Sequence, residues 1–259
     1  MHIGYITGSG FYDLPGFSEA RVKNRFGEAR LLHGSVGAGH AVTLLPRHRT
    51  GHALLPHQIN HRANLLALKE AGVDVVVSFS VCGVINPNWP LAAPFLASDL
   101  YYPDNRLGDG STCTLFTEPG ETGRGHLLPE SFFNTTLLAR IRSILISSGN
   151  EPLDGCYAHV PGPRFDSRVE IAALRATGVD FLSQTCGPET ILANELELPY
   201  ALVGFGVDYA NGVSDERTPV ETLKTNLQRG KDCFEFIVKQ LSGADEPAPE
   251  FENFVYRFE

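Results

Sequence analysis

The chain has 259 residues, 42% of them hydrophobic and 20% charged, with a formal net charge of −9. That length suits one large α/β domain or two small ones, and the acidic balance argues against general affinity for nucleic acid or an anionic membrane. No apolar run approaches the roughly 20 residues of a membrane span, and "MHIGYITGSGFYD" has no basic region followed by an apolar stretch, so a cytoplasmic location is expected. The five cysteines, Cys82, Cys113, Cys156, Cys186 and Cys233, form no CxxC, and the histidines near residues 48 to 61 have no cysteine beside them. Buried free thiols and no metal site are the expectation.

In chain order, "HIGYITGSG" predicts a strand over Ile3–Ile6 that ends in a small-residue turn. "LLHGSVGAGHAVTLLPRH" predicts two strands with a reversal between Gly34 and Gly39. After Pro56, the apolar spacing of Ile59, Ala63, Leu66 and Ala67 predicts an amphipathic helix that stops at Gly72. "VDVVVSFSVCGV" is a β-branched apolar run, the pattern of a strand covered on both faces. From Asn86 to Pro129 loops and short strands are expected, with "PFLASDLYY" as one strand. A helix follows in "SFFNTTLLARIRSILISSG", a strand in "DGCYAHVPG", and a helix in "DSRVEIAALRATG", capped by Asp166 or Ser167 and stopped at Gly178. "VDFLSQ" and "PYALVGFGVDY" predict strands around a helix in "GPETILANELEL". Thr218, with Glu221 three residues on, predicts a capping box at the start of the last helix. The tail after about residue 241 ends in aromatic residues that suggest docking on this chain or a neighbour.

Strands alternating with helices and no linker before about residue 242 predict one α/β domain, whose active site belongs in the strand-to-helix turns. "TGSGF" offers backbone N–H groups and the Ser9 hydroxyl to an anion, though it lacks the spacing and lysine of a P-loop. "PRHRTGH" gathers cationic groups in an acidic chain, and Arg47 and His48 are donors suited to phosphate. In "GPRFDSR", Phe165 can stack on a flat ring and Asp166 can accept from its edge; core packing and helix capping are the competing roles. Asp208 ends a buried strand, where a carboxylate is costly unless paired or functional, and Thr185 stands at a helix N-terminus suited to an anion.

Taken together, "GSGF", "PRH…H…P…INHRANLLALKEAGV", "GPRF", "CGPETILANELELPYA" and "VDYA", in this order, resemble the trimeric purine nucleoside phosphorylase and 5′-methylthioadenosine phosphorylase family from about Ile3 to Leu241. The resemblance implies a single α/β domain built on a mixed, partly barrel-like sheet surrounded by helices, a homotrimer, and phosphorolysis of a purine nucleoside to free base and sugar 1-phosphate. It implies no cofactor beyond phosphate as co-substrate. By that resemblance Ser9, Arg47, His48, Ser80, the backbone of Val81 and Thr185 hold phosphate. Phe165, Asp166 and Asp208 meet the base, with Ser9, His48 and Asp208 closest to the chemistry. Gln184 and His126 approach the sugar, His126 from a neighbouring subunit, and Glu189 matches the family's "PE" glutamate.

The sequence also departs from the family pattern. Thr7 replaces a glycine, Arg49 follows the Arg-His pair where glycine is usual, and Gln184 replaces the methionine before the phosphate threonine. Ala210, followed by Asn211, occupies the place of a second aspartate found in adenine-selective relatives. A 6-aminopurine nucleoside, 5′-methylthioadenosine-like or with an unusual sugar, is the expectation. A nucleoside hydrolase, a base transferase working in the synthetic direction on a modified or phosphorylated sugar, and a non-catalytic nucleoside-binding protein are the alternatives.

Overall fold

A computed structural model of the protein describes residues 1–8, 16–36 and 40–258. The elements run β1 (Ile3–Thr7), β2 (Ser18–Asn24), β3 (Gly27–Val36), β4 (His40–Pro46), α1 (His61–Glu70), β5 (Val75–Val84), β6 (Pro94–Tyr101) and β7 (Gly125–Leu128). They continue α2 (Thr135–Ser147), β8 (Leu153–His159), α3 (Arg168–Ala176), β9 (Phe181–Ser183), α4 (Cys186–Glu195), β10 (Tyr200–Tyr209), α5 (Val220–Gly243) and β11 (Phe254–Arg257).

One nine-stranded mixed sheet, ordered β10-β6-β8-β9-β5-β1-β4-β3-β2, closes on itself because β10 also pairs with β5. The result is a barrel of β5, β10, β6, β8 and β9, with β1, β4, β3 and β2 extending from it as a wing. Along one edge β5 is paired with β10 throughout. Its other edge is shared: β1 pairs from Val75 to Ser78, and β9 pairs only at Gly83 and Val84. Wing and barrel therefore part company between Ser78 and Gly83. An opening at such a switch point is where α/β sheets hold ligands.

Residue alternation along β5 explains its burial on both faces. Val75, Val77 and Phe79 join a cluster with Leu137, Ile141 and Leu145 of α2 and Phe234, Ile237 and Leu241 of α5. Val76, Cys82 and Val84 face the opposite cluster, with Leu65 and Leu68 of α1, Leu192 of α4 and the barrel aromatics Phe95, Tyr157 and Phe181. The barrel interior is filled by rings, Phe95 lying 5.4 Å from Phe181 and 4.7 Å from Trp89. All five cysteines are free thiols. Among the described residues no helix is long and apolar enough to cross a membrane.

Helix ends follow local chemistry, with two corrections. The helix expected from Pro56 begins only at His61, because the Asn60 side chain caps it by accepting from Ala63 N; Pro56–Gln58 is a separate 3-10 turn. The capping box expected at Thr218 does not form: α5 starts after Pro219, and Thr218 Oγ1 donates to Asp208 Oδ1 at 2.5 Å instead. Ser167 does form a capping box with Glu170 on α3. The C-terminal tail docks on its own chain. β11 pairs antiparallel with β7, and the Asn253 amide donates to Ser131 O at 2.7 Å and Asn194 Oδ1 at 2.6 Å.

Candidate active site

The cavity that opens where β1 and β9 diverge has a volume of about 380 Å³, within the usual range for small-molecule sites. Its walls are the turns after β1, β4, β8 and β9, together with the ends of β5 and β10. At one end stands Arg47, which follows β4 and donates its backbone N–H to Thr7 O at 3.0 Å. Its guanidinium is 2% exposed and nearly saturated. Nε and Nη2 donate to the two Glu189 oxygens at 2.6 and 3.0 Å, Nη2 also to Ser78 Oγ at 2.5 Å, and Nη1 to Phe79 O at 2.8 Å. Ser78 Oγ in turn donates to Glu189 Oε2 at 2.6 Å. Burial opposes the arginine's charge, but the Glu189 carboxylate more than offsets it and holds the guanidinium above its usual range. Only an N–H of Nη1 is left for a ligand. Gly8 makes room for it, since a Cβ there would lie 2.9 Å from Nη1.

His48 is 5% exposed, its Nδ1 2.8 Å from Leu54 O and its ring stacked on His52 at 4.0 Å. A carbonyl partner requires Nδ1 to carry the proton, which leaves the Nε2 lone pair as the free group. Burial, then the Arg47 charge, pushes this imidazole down to about 4. The sequence reading takes His48 as a donor; its Nδ1 proton is spent on Leu54 O, and burial and the Arg47 charge favour the neutral imidazole, which leaves Nε2 as an acceptor. Ser80 and Thr185 are buried and line the same cavity; Thr185 precedes α4 without capping it by its side chain. Ser9 lies outside the described residues.

At the other end Asp208 sits just after a bulge in β10, paired with Gly83 of β5. On β5, Gly83 stands four positions beyond Phe79, whose carbonyl holds Arg47, so one strand spaces the two ends by roughly 13 Å. Phe165 and Asp166 line the same end, Phe165 at 81% exposure. Burial, and secondarily Glu170, raises the Asp166 carboxyl. Gln184 also lines the cavity, with its Nε2 2.7 Å from Arg164 O. Among the described site residues expected from the sequence, His126 is the one that does not line this cavity; it lies on β7, where it meets Phe258 edge-on at 5.4 Å. Sequence reasoning missed Thr218 as the partner of Asp208 and Asn211 as the donor to Asp166 O at 2.6 Å. The Thr-x-x-Glu spacing pointed to a cap, and Asn211 carried no pattern of its own. Among the described residues no group of His, Cys, Asp and Glu is placed to hold a metal ion.

Residues 2–242 match the family model of the phosphorylase superfamily, and the chain belongs to that family. It is 32% identical over 255 residues to a probable 6-oxopurine nucleoside phosphorylase of Moorella thermoacetica, covering 94% of this chain and 93% of the relative. It is 30% identical over 257 residues to an S-methyl-5′-thioadenosine phosphorylase of Bradyrhizobium diazoefficiens, covering 95% and 86%. Its fold matches the crystal structure of an adenosine/methylthioadenosine phosphorylase mutant from Schistosoma mansoni with a TM-score of 0.81 at 22% identity, over 93% of this chain and 90% of that one. The protein is thus an enzyme of the nucleoside phosphorylase type.

Proposed function

We propose that this enzyme cleaves the N-glycosidic bond of a purine nucleoside with inorganic phosphate, releasing the free base and a pentose 1-phosphate. The observation that carries the reading is the single cavity with Arg47, His48 and Thr185 at one end and Asp208 at the other. Phosphate rests on Arg47 Nη1, His48, the Ser80 and Thr185 hydroxyls and the Val81 backbone, and Ser9 belongs to the same proposal. As the C1′–N9 bond lengthens, positive charge builds on the sugar and negative charge on the base. The phosphate oxygen stabilises the first and bonds C1′ as the C1′–N9 electron pair leaves with the base; a proton drawn from solvent to N7, held there by the Asp208 carboxylate, stabilises the second. Phe165 packs on the purine and Asp166 faces its edge. These steps need no covalent enzyme intermediate and no redox group.

Thr218 occupies Asp208 Oδ1, leaving the other oxygen for the base. A carboxylate accepts from a 6-amino group but repels a 6-oxo group, which favours 6-aminopurines. A homotrimer in the cytoplasm belongs to the same proposal. Phe165 is 81% exposed, Leu128, Phe254 and Tyr256 are exposed on the β7–β11 ribbon, and a neighbour that covers the cavity mouth would bring His126 to the sugar.

The test is base release from adenosine, inosine, 5′-methylthioadenosine and 5′-methylthioinosine, with and without phosphate, read by chromatography. Phosphate-dependent release with formation of the sugar 1-phosphate is expected. Release without phosphate means hydrolysis, and tight binding without turnover means a binding protein. Asp208→Asn should shift the base ratio toward 6-oxopurines; an unchanged ratio removes Asp208 from base recognition.

A further inference from the structure

Loop 161–166 joins β8 to α3 and carries Phe165 and Asp166, yet its own backbone is sparsely tied. Among the described residues, two hydrogen bonds reach it from outside the loop and α3: Gln184 Nε2 to Arg164 O at 2.7 Å and Asn211 Nδ2 to Asp166 O at 2.6 Å. Both acceptors are backbone carbonyls, so both amides must present nitrogen there, and their orientations are fixed. The Gln184 Oε1 packs against Gly162, where any Cβ would collide with it. On the α3 side, the Arg164 guanidinium pairs with Glu170 at 2.7 and 2.9 Å, and Glu170 completes the Ser167 capping box. The loop is therefore anchored to α3 by its own residues and to the rest of the molecule by two side-chain amides.

Those amides come from two different walls. Gln184 immediately precedes Thr185 in the turn after β9, at the anion end, and Asn211 follows β10 just beyond Asp208, at the base end. Both stand at or beside positions where the sequence departs from its family pattern. A methionine at 184 cannot make the bond, and its replacement by glutamine has a structural use that does not involve the sugar.

We infer that Gln184 and Asn211 are positioning residues that latch loop 161–166 over the purine, one from the phosphate turn and one from the end of β10. The inference rests on the purine nucleoside reading of the cavity. With the latch closed, Phe165 is held at the cavity without waiting for substrate to order it, so the latch acts on nucleoside affinity rather than on the bond-breaking step.

The experiment compares wild type with Gln184→Glu, Gln184→Met and Asn211→Asp, the acids keeping shape while removing the donor. Amide hydrogen exchange of residues 161–167, phosphate-dependent base release and thermal unfolding are read on the same preparations. Each variant should speed exchange in that segment alone and raise nucleoside KM roughly 2- to 10-fold, the worth of one hydrogen bond. Phosphate KM, read on Gln184→Met and Asn211→Asp, and Tm should stay put, and the KM factor should be the same for nucleosides differing at the 5′ position. Unchanged exchange overturns the latch. A KM effect of Gln184 that depends on the 5′ group also overturns it and returns this side chain to sugar recognition. If wild type releases no base but the variants still exchange faster in the loop, the latch stands and the assignment of the reaction falls.

Discussion

With its Nδ1 proton committed to Leu54 O at 2.8 Å, His48 meets an incoming anion with a lone pair, beside an Arg47 whose charge is already shared with Glu189. Two acceptors facing each other do not bind, so a proton must accompany the anion, either on phosphate or gained by His48. Apparent phosphate KM should therefore rise with pH between about 6.5 and 8.5, by up to about tenfold per unit. Sulfate, which brings no proton, should inhibit only at the acidic end. Steady-state kinetics over that range check this, and a flat phosphate KM overturns it. His52, stacked on His48, depresses the same imidazole further, so the effect is read best with His52 present.

Among the elements, β10 is packed tightly against the barrel rings. A Cβ on Gly206 would meet Phe95 Cζ at 2.6 Å and Val84 Cγ2 at 2.8 Å. Phe95 cannot yield, because Trp89 and Phe181 pack around it inside the barrel. Gly206→Ala should cost about 1–3 kcal/mol by urea denaturation, while Gly243→Ala, facing open space at the end of α5, serves as a near-neutral control. The elements most legible in the sequence share this burial. β5 and β10 announced themselves as long apolar runs, whereas α3, with Ile171 its buried residue, was marked by a cap at Asp166 or Ser167 and a stop at Gly178. β2 left no such signal: it is a wing-edge strand, exposed or half-buried throughout, with no apolar stripe. Among the described residues β7 and β11 pair with each other alone, across more than a hundred residues. The site shows the same limit. Arg47, His48 and Asp208 were legible as residue types at strand ends, but the saturation of Arg47 depends on Glu189, 142 residues away, and no local spacing reveals it.

For the molecule as a whole, three buried histidines have their charged form disfavoured. Burial pushes His159 down to about 3 and His61 well below its usual value, and His48 lies at about 4. All three shifts are downward, so below about pH 6.5 the unfolded chain takes up protons that the folded chain refuses. Between about pH 6.5 and 8 these histidines leave stability level, and it should fall as pH drops toward 4, by up to about 1.4 kcal/mol per unit for each histidine. Denaturation at pH 7.5, 6 and 5 measures the slope, and His159→Gln should reduce it by one proton's worth. A slope unaffected by that change overturns the assignment. A different consequence follows from β5, which holds the Arg47 carbonyl partner and the Asp208 partner on one continuous ladder. The reach from nucleophile to departing base is set like the gap of a fixed-jaw wrench. Opening and closing during turnover then falls to the pieces that rest on the rim, and evolution of new substrates on this scaffold has the rim, rather than the jaw, to work with.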